Sequence, residues 1–99
     1  MAFKTIRTNT RPNIYVPFFL FNEEIRRYTD EKYNQTGKRI SFNTVISEDE
    51  LQQISTSVWL DQATFKEFID DPVIARHGAL VDDYNKAFDI VVTRENLDI

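Results

Sequence analysis

Ile40-Ser41-Phe42-Asn43-Thr44-Val45-Ile46, the polar break Ser47-Glu48-Asp49-Glu50, and Leu51-Gln52-Gln53-Ile54-Ser55-Thr56-Ser57-Val58-Trp59-Leu60 decide the fold. Both runs alternate with a period of two and are rich in β-branched residues, as half-buried strands are. The break between them predicts a hairpin. Ile40, Phe42, Thr44 and Ile46 share one face of the first strand. In the second, Gln52, Ile54, Thr56, Val58 and Leu60 form one row, and Gln53, Ser55, Ser57 and Trp59 the other. Counting apolar residues puts the first of these rows inward. The expected outer face then carries Ser41, Asn43, Val45, Ser55, Ser57 and Trp59.

Working outward, Asn22 is a good N-cap before Glu23 and Glu24, and Gly37 is a natural stop. A helix is predicted over 22–35. Upstream, residues 1–13 are polar and basic and read as an extended arm or an irregular first strand. Ile14-Tyr15-Val16 reads as a short strand ended by Pro17, with Phe18-Phe19-Leu20-Phe21 entering the core. Downstream, Asp61 caps a helix that brings Phe65, Phe68 and Ile69 to one face. Asp71-Pro72 restarts helix, with a bend expected at Gly78. Ile90-Val91-Val92-Thr93 is the last strand, and 94–99 a polar tail. The order βαββαβ is the ferredoxin-like pattern: a four-stranded antiparallel sheet with helices on one face. The chain, 1–99, is expected to be one such domain. The expected core is Ile14, Val16, Phe18, Phe21, Ile25, Tyr28, Ile40, Phe42, Ile46, Ile54, Val58, Leu60, Phe65, Phe68, Ile69, Leu80, Tyr84, Ile90 and Val92.

Composition excludes several function classes. The chain has no cysteine, which removes thiolate chemistry and Cys-based metal sites. Its only glycines are Gly37 and Gly78, so no phosphate-cradling loop exists. The apolar run Val16–Phe21 is too short to cross a bilayer, and the N-terminus lacks a signal-peptide core. A cytoplasmic location is expected. The net charge of −4 and the lack of an aromatic RNA-binding signature make nucleic acid an unexpected partner. Charge is uneven: residues 1–45 balance to +4 and 46–99 to −8. Such halves can steer self-association.

The residues that could carry chemistry are few. His77 is the single histidine, and without an evident partner it reads as a helix-surface or bend residue. Asp70-Asp71 and Asp82-Asp83 lack the spacing of a cation loop, and no metal or cofactor is expected. No Gly-x-Ser-x-Gly elbow is present.

Residues 44–74 carry a resemblance. Thr44-Val45-Ile46-Ser47-Glu48-Asp49-Glu50-Leu51, then Val58-Trp59-Leu60-Asp61, Phe65 to Phe68 and Asp71-Pro72 resemble the dimeric α+β barrel superfamily. Antibiotic-biosynthesis-type monooxygenases belong to it. The resemblance implies dimers formed through open sheet faces. In the monooxygenase branch it also implies a ligand between sheet and helices, where polar residues serve cofactor-free oxygenation. Asn43 and Trp59 would be the counterparts. The style of Thr10-Arg11-Pro12-Asn13 followed by Pro17-Phe18-Phe19 is similar to small phage proteins. The expected function is therefore a non-enzymatic, self-associating interaction module, a virion part or host-protein binder. Its contact residues would be Trp59, Val45, Asn43, Arg7 and Arg11. The alternative is a cofactor-free oxygenase or small-ligand binder of the dimeric barrel type.

Overall fold

The computed structural model describes residues 1–99. Strand β1 spans Phe3–Thr10, helix α1 Glu23–Thr29 with a π-helical extension Asp30–Asn34, and strands β2 and β3 Arg39–Ile46 and Gln52–Trp59. Helices α2 and α3 span Gln62–Asp70 and Pro72–Ala87, and strand β4 Val91–Asp98. The strands pair in the order β2-β3-β1-β4, all antiparallel. This is the ferredoxin-like α+β fold, as the sequence predicts.

The helix ends form where the sequence places them. Asn22 Oδ1 accepts from the Ile25 amide at 2.8 Å, and Asp61 Oδ1 from the Thr64 amide at 2.7 Å. These contacts satisfy amides that a helix start otherwise leaves open. Helix α3 continues through Gly78 without interruption.

The N-terminal segment differs more. Phe3–Thr10 is a regular strand, paired along its whole length to β3 and to β4. The polar arm is thus the centre of the sheet. Ile14-Tyr15 is turn and Val16 a bend, not strand. The strand at the other end also runs further than the sequence suggests, through Asp98.

The hairpin pairs one residue away from the expected register. Thr44 stands opposite Ser55, Phe42 opposite Ser57, and Ile46 opposite Gln53. A hydrogen-bonded polar turn sets this offset. Asp49 Oδ1 accepts from Ser47 Oγ at 2.6 Å and from the Leu51 amide at 3.0 Å, and Ser47 Oγ accepts from the Gln52 amide at 3.0 Å. A bulge between Arg39 and Ser41 absorbs Ile40. A one-residue slip exchanges faces. Ser55, Ser57 and Trp59 therefore face the helices, and Ile54 and Val58 the open side.

Trp59 explains why this register prevails. It is 1 % exposed and packs with Tyr33 (0 %) and Phe3, flanked by Tyr28, Phe65, Phe68 and Ile74. Its ring centroid lies 4.7 Å from that of Phe68 and 5.5 Å from that of Phe65. One large aromatic in such a nest outweighs several smaller side chains. The core is correspondingly compact. Ile14, Phe21, Ile40, Phe42, Ile46, Leu60, Ile69 and Leu80, all expected inside, are exposed. The helices cover the sheet centre and leave the β2 edge open to solvent, and Ile40 and Leu60 fall beyond the regular ladder.

A polar pillar joins the helices. Asp71, the N-cap of α3, is buried, and its Oδ2 accepts from Tyr28 Oη at 2.6 Å, Tyr33 Oη at 2.6 Å and Lys32 Nζ at 2.9 Å. Its Oδ1 accepts from the Val73 amide at 3.0 Å. Burial acts against the charged carboxylate, but these four donors together hold Asp71 well below the usual carboxylate range.

Candidate functional site between sheet and helix α3

The inner face of the sheet is polar at its centre. Alternation from Phe3 places Thr5, Arg7 and Asn9 of β1 on this face, beside Ser57, Ser55 and Gln53 of β3 and Asn96, Arg94 and Val92 of β4. Arg7 Nε donates to Asn9 Oδ1 at 3.2 Å, and Asn9 Nδ2 to Gln53 Oε1 at 3.0 Å. Helix α3 presents His77, Val81 and Asn85, one turn apart each, as its buried residues.

Three buried side-chain nitrogens in the protein have no hydrogen-bond partner: Arg7 Nη2, His77 Nε2 and Asn85 Nδ2. All belong to the layer between α3 and the sheet. Buried polar groups are normally paired, so a cluster of orphans needs a reason. Burial, and next the Arg7 charge, hold the His77 imidazole below its ordinary pKa. Burial and Arg94 likewise lower Arg7, opposed by Asp82. Burial and the Arg7 charge thus both favour the neutral form of His77.

An aromatic cap closes the layer. The loop 11–22 crosses α3 and brings the Phe21 ring within 5.1 Å and the Phe19 ring within 5.5 Å of His77. Phe19 also meets Tyr84 at 5.4 Å, and the Tyr84 hydroxyl donates to the Pro17 carbonyl. Arg11 holds the loop's base. It donates to the Glu50 carbonyl at 2.8 Å and the Val16 carbonyl at 3.0 Å, and stacks 4.4 Å from the Phe18 ring centroid.

Two hollows flank the sheet–helix boundary. The larger, about 520 Å³, is lined by Phe3, Gln62, Ala63, Phe65, Lys66, Ile69 and Asn96. It contains none of the unpartnered nitrogens, so size alone does not make it the better chemical site. The smaller, about 340 Å³, is lined partly by Asn85 and Arg94 and adjoins the polar layer.

The residues expected to act together are dispersed. Trp59 lies in the core with its Nε1 donating to Thr5 Oγ1 at 3.4 Å, so it is not available to anchor another chain. Asn43 and Val45 lie on the open sheet face, and Val45 is 47 % exposed. Asn43 and Trp59, on opposite faces, cannot form one site. Arg7 points inward and Arg11 is committed to its loop, so neither is a free arm charge. His77 is 8 % exposed, which corrects its reading as a surface residue. The i, i+4, i+8 spacing of His77, Val81 and Asn85 was the signal for this site.

No sequence-family profile and no curated protein sequence matches this chain. Its structure does have relatives. A cofactor-independent oxygenase, SnoaB from Streptomyces nogalater, superposes with a TM-score of 0.67 at 12 % identity, covering 99 % of this chain and 92 % of that one. The shared fold is the ferredoxin-like α+β fold. A Deinococcus radiodurans protein assigned to the antibiotic biosynthesis monooxygenases gives a TM-score of 0.64 at 9 % identity, covering 100 % and 92 %. A dimeric ferredoxin-like protein from an uncultured marine organism gives 0.58 at 13 %, covering 99 % and 94 %. These neighbours overturn the expected non-enzymatic virion or host-binding module. The structural neighbours named for an activity are an oxygenase and a monooxygenase, which favours the alternative reading.

Proposed function

We propose that this protein is a cofactor-independent oxygenase whose substrate binds between α3 and the sheet, beneath Phe19 and Phe21. The observation that carries the reading is the set of unpartnered buried nitrogens in that layer, His77 Nε2, Arg7 Nη2 and Asn85 Nδ2. An oxygenase without a cofactor must draw its electrons from the substrate. The substrate must therefore ionise to an electron-rich anion, as an acidic phenol or enol does. His77 Nε2 takes the proton, and Arg7 stabilises the charge left behind. Oxygen adds to a C–H carbon of that anion, His77 returns the proton to give a hydroperoxide, and loss of water leaves C=O, so one oxygen atom enters the product and the other leaves as water. Phe19 and Phe21 place aromatic rings against His77 on the side away from the sheet.

Oxygen uptake with a panel of acidic phenols, under chelator and without added flavin or nicotinamide, tests the reading. Uptake that falls by about 100-fold in His77→Gln supports it, the usual scale for a lost general base. Absence of uptake across the panel, or unchanged uptake in His77→Gln, contradicts it.

The open sheet face supports self-association. It carries Ile6, Val45, Ile54, Val58, Val91 and Leu97, by alternation from the buried inner row. Packing two such faces removes β-branched apolar surface from water, and a twofold pair closes the assembly. Light scattering is expected to give a dimer mass, reduced to that of a monomer in Ile54→Glu.

A further inference from the structure

The hollow of about 340 Å³ between the second half of α3 and β4 is lined by Asp82, Asn85, Lys86, Ile90, Val92 and Arg94. We propose that it binds an oxoanion, the carboxylate or phosphate group of a small molecule, through Arg94, Lys86 and the Asn85 amide, with Arg7 behind them.

Charge is the first argument. Arg7 and Arg94 stand directly opposite each other on adjacent strands and on the same inner face. Like charges in that position are unfavourable, and Lys86 adds a third cation nearby. Asp82 is the single carboxylate of the lining, and its Oδ1 reaches Arg94 Nη2 at 3.9 Å from an exposed position. One exposed acid thus faces three cations, of which Arg7 alone is turned into the protein and Arg94 is 59 % exposed.

Hydrogen-bonding capacity is the second. Asn85 is 5 % exposed, lines the hollow and has no acceptor for its Nδ2. Arg7 Nη2 also lacks one. Two buried donors without acceptors, among cations, match a ligand that is acceptor-only and negative. A water molecule would satisfy Asn85 but would bring no negative charge to the two guanidiniums. This inference goes beyond the oxygenase reading and does not need it, since an anion can bind whether or not turnover occurs.

Calorimetric titration with sodium phosphate and with benzoate, at constant ionic strength, tests it without reference to activity. Saturable binding is expected, weakened about tenfold in Arg94→Gln by loss of one charge-assisted contact. Binding should vanish in Asn85→Asp, which places a negative charge against the ligand. Tighter phosphate binding would identify a phosphate site, and tighter benzoate binding a site for an organic acid. Lys86→Gln, at an exposed position, gives a second variant that keeps the fold if Asn85→Asp does not. No saturable binding of either anion, or equal affinity in the wild type and Arg94→Gln, would overturn the proposal.

Discussion

Asp71 and His77 stand on the same helix, less than two turns apart, and both are buried, yet their surroundings are opposite. Asp71 is met by two tyrosine hydroxyls, a lysine and a backbone amide. His77 Nε2 has no partner, nor do Arg7 Nη2 and Asn85 Nδ2 in the same layer. A satisfied network fixes one arrangement of helices. An unsatisfied one costs stability that a bound water or ligand returns. The difference separates the part of the molecule that holds the fold from the part available for chemistry.

Removing each cluster should therefore have opposite consequences for stability. Asp71→Ala leaves two hydroxyls and an ammonium without their acceptor, and should lower stability by about 3 kcal/mol in urea unfolding. Asn85→Leu, a swap of similar shape, removes an orphan donor and should leave stability unchanged or raise it by about 1 kcal/mol. A large loss in Asn85→Leu would mean that the amide is satisfied and the contrast false.

Acid should also separate the two. Both groups have folded pKa values below their unfolded ones, so each contributes stability above the unfolded pKa that is lost as pH falls through the folded one. For His77 that window lies below its ordinary 6.5, and for Asp71 below its ordinary 3.8. The melting temperature should fall in two stages on acidification, and the first stage should be absent in His77→Gln.

The smallest effect concerns Gly78, beside His77. A methyl group there meets nothing within 4 Å. Gly78→Ala should stabilise α3 by about 1 kcal/mol, visible in thermal melts. A loss instead would place the helix against a neighbour at that point.

Much of the fold was legible because its signals are local. Asn22, Asp61 and Asp71-Pro72 mark the helix starts, and the alternation of 40–60 marks the hairpin. The register was not legible, because it depends on a turn held by Ser47 and Asp49 and on a nest for Trp59 built from distant residues. Strand β1 was obscured by its own chemistry. Phe3, Thr5, Arg7 and Asn9 face inward and Lys4, Ile6, Thr8 and Thr10 outward, so two mostly polar rows hide the period of two. That concealment extended to the site, since a buried arginine in the middle of a sheet looks like a basic arm until the sheet is assembled. His77 was similarly hidden, because its cap comes from the loop 11–22, far away in sequence.

The central claim is that His77 is a buried, neutral and unpartnered base. The protein has one histidine, so its imidazole resonances in an NMR pH titration are unambiguous. The account predicts a pKa below the ordinary 6.5, moved upward in Arg7→Gln as the neighbouring positive charge is removed. A pKa at or above 6.5, unmoved by Arg7→Gln, would mean a solvated or paired imidazole and would contradict it.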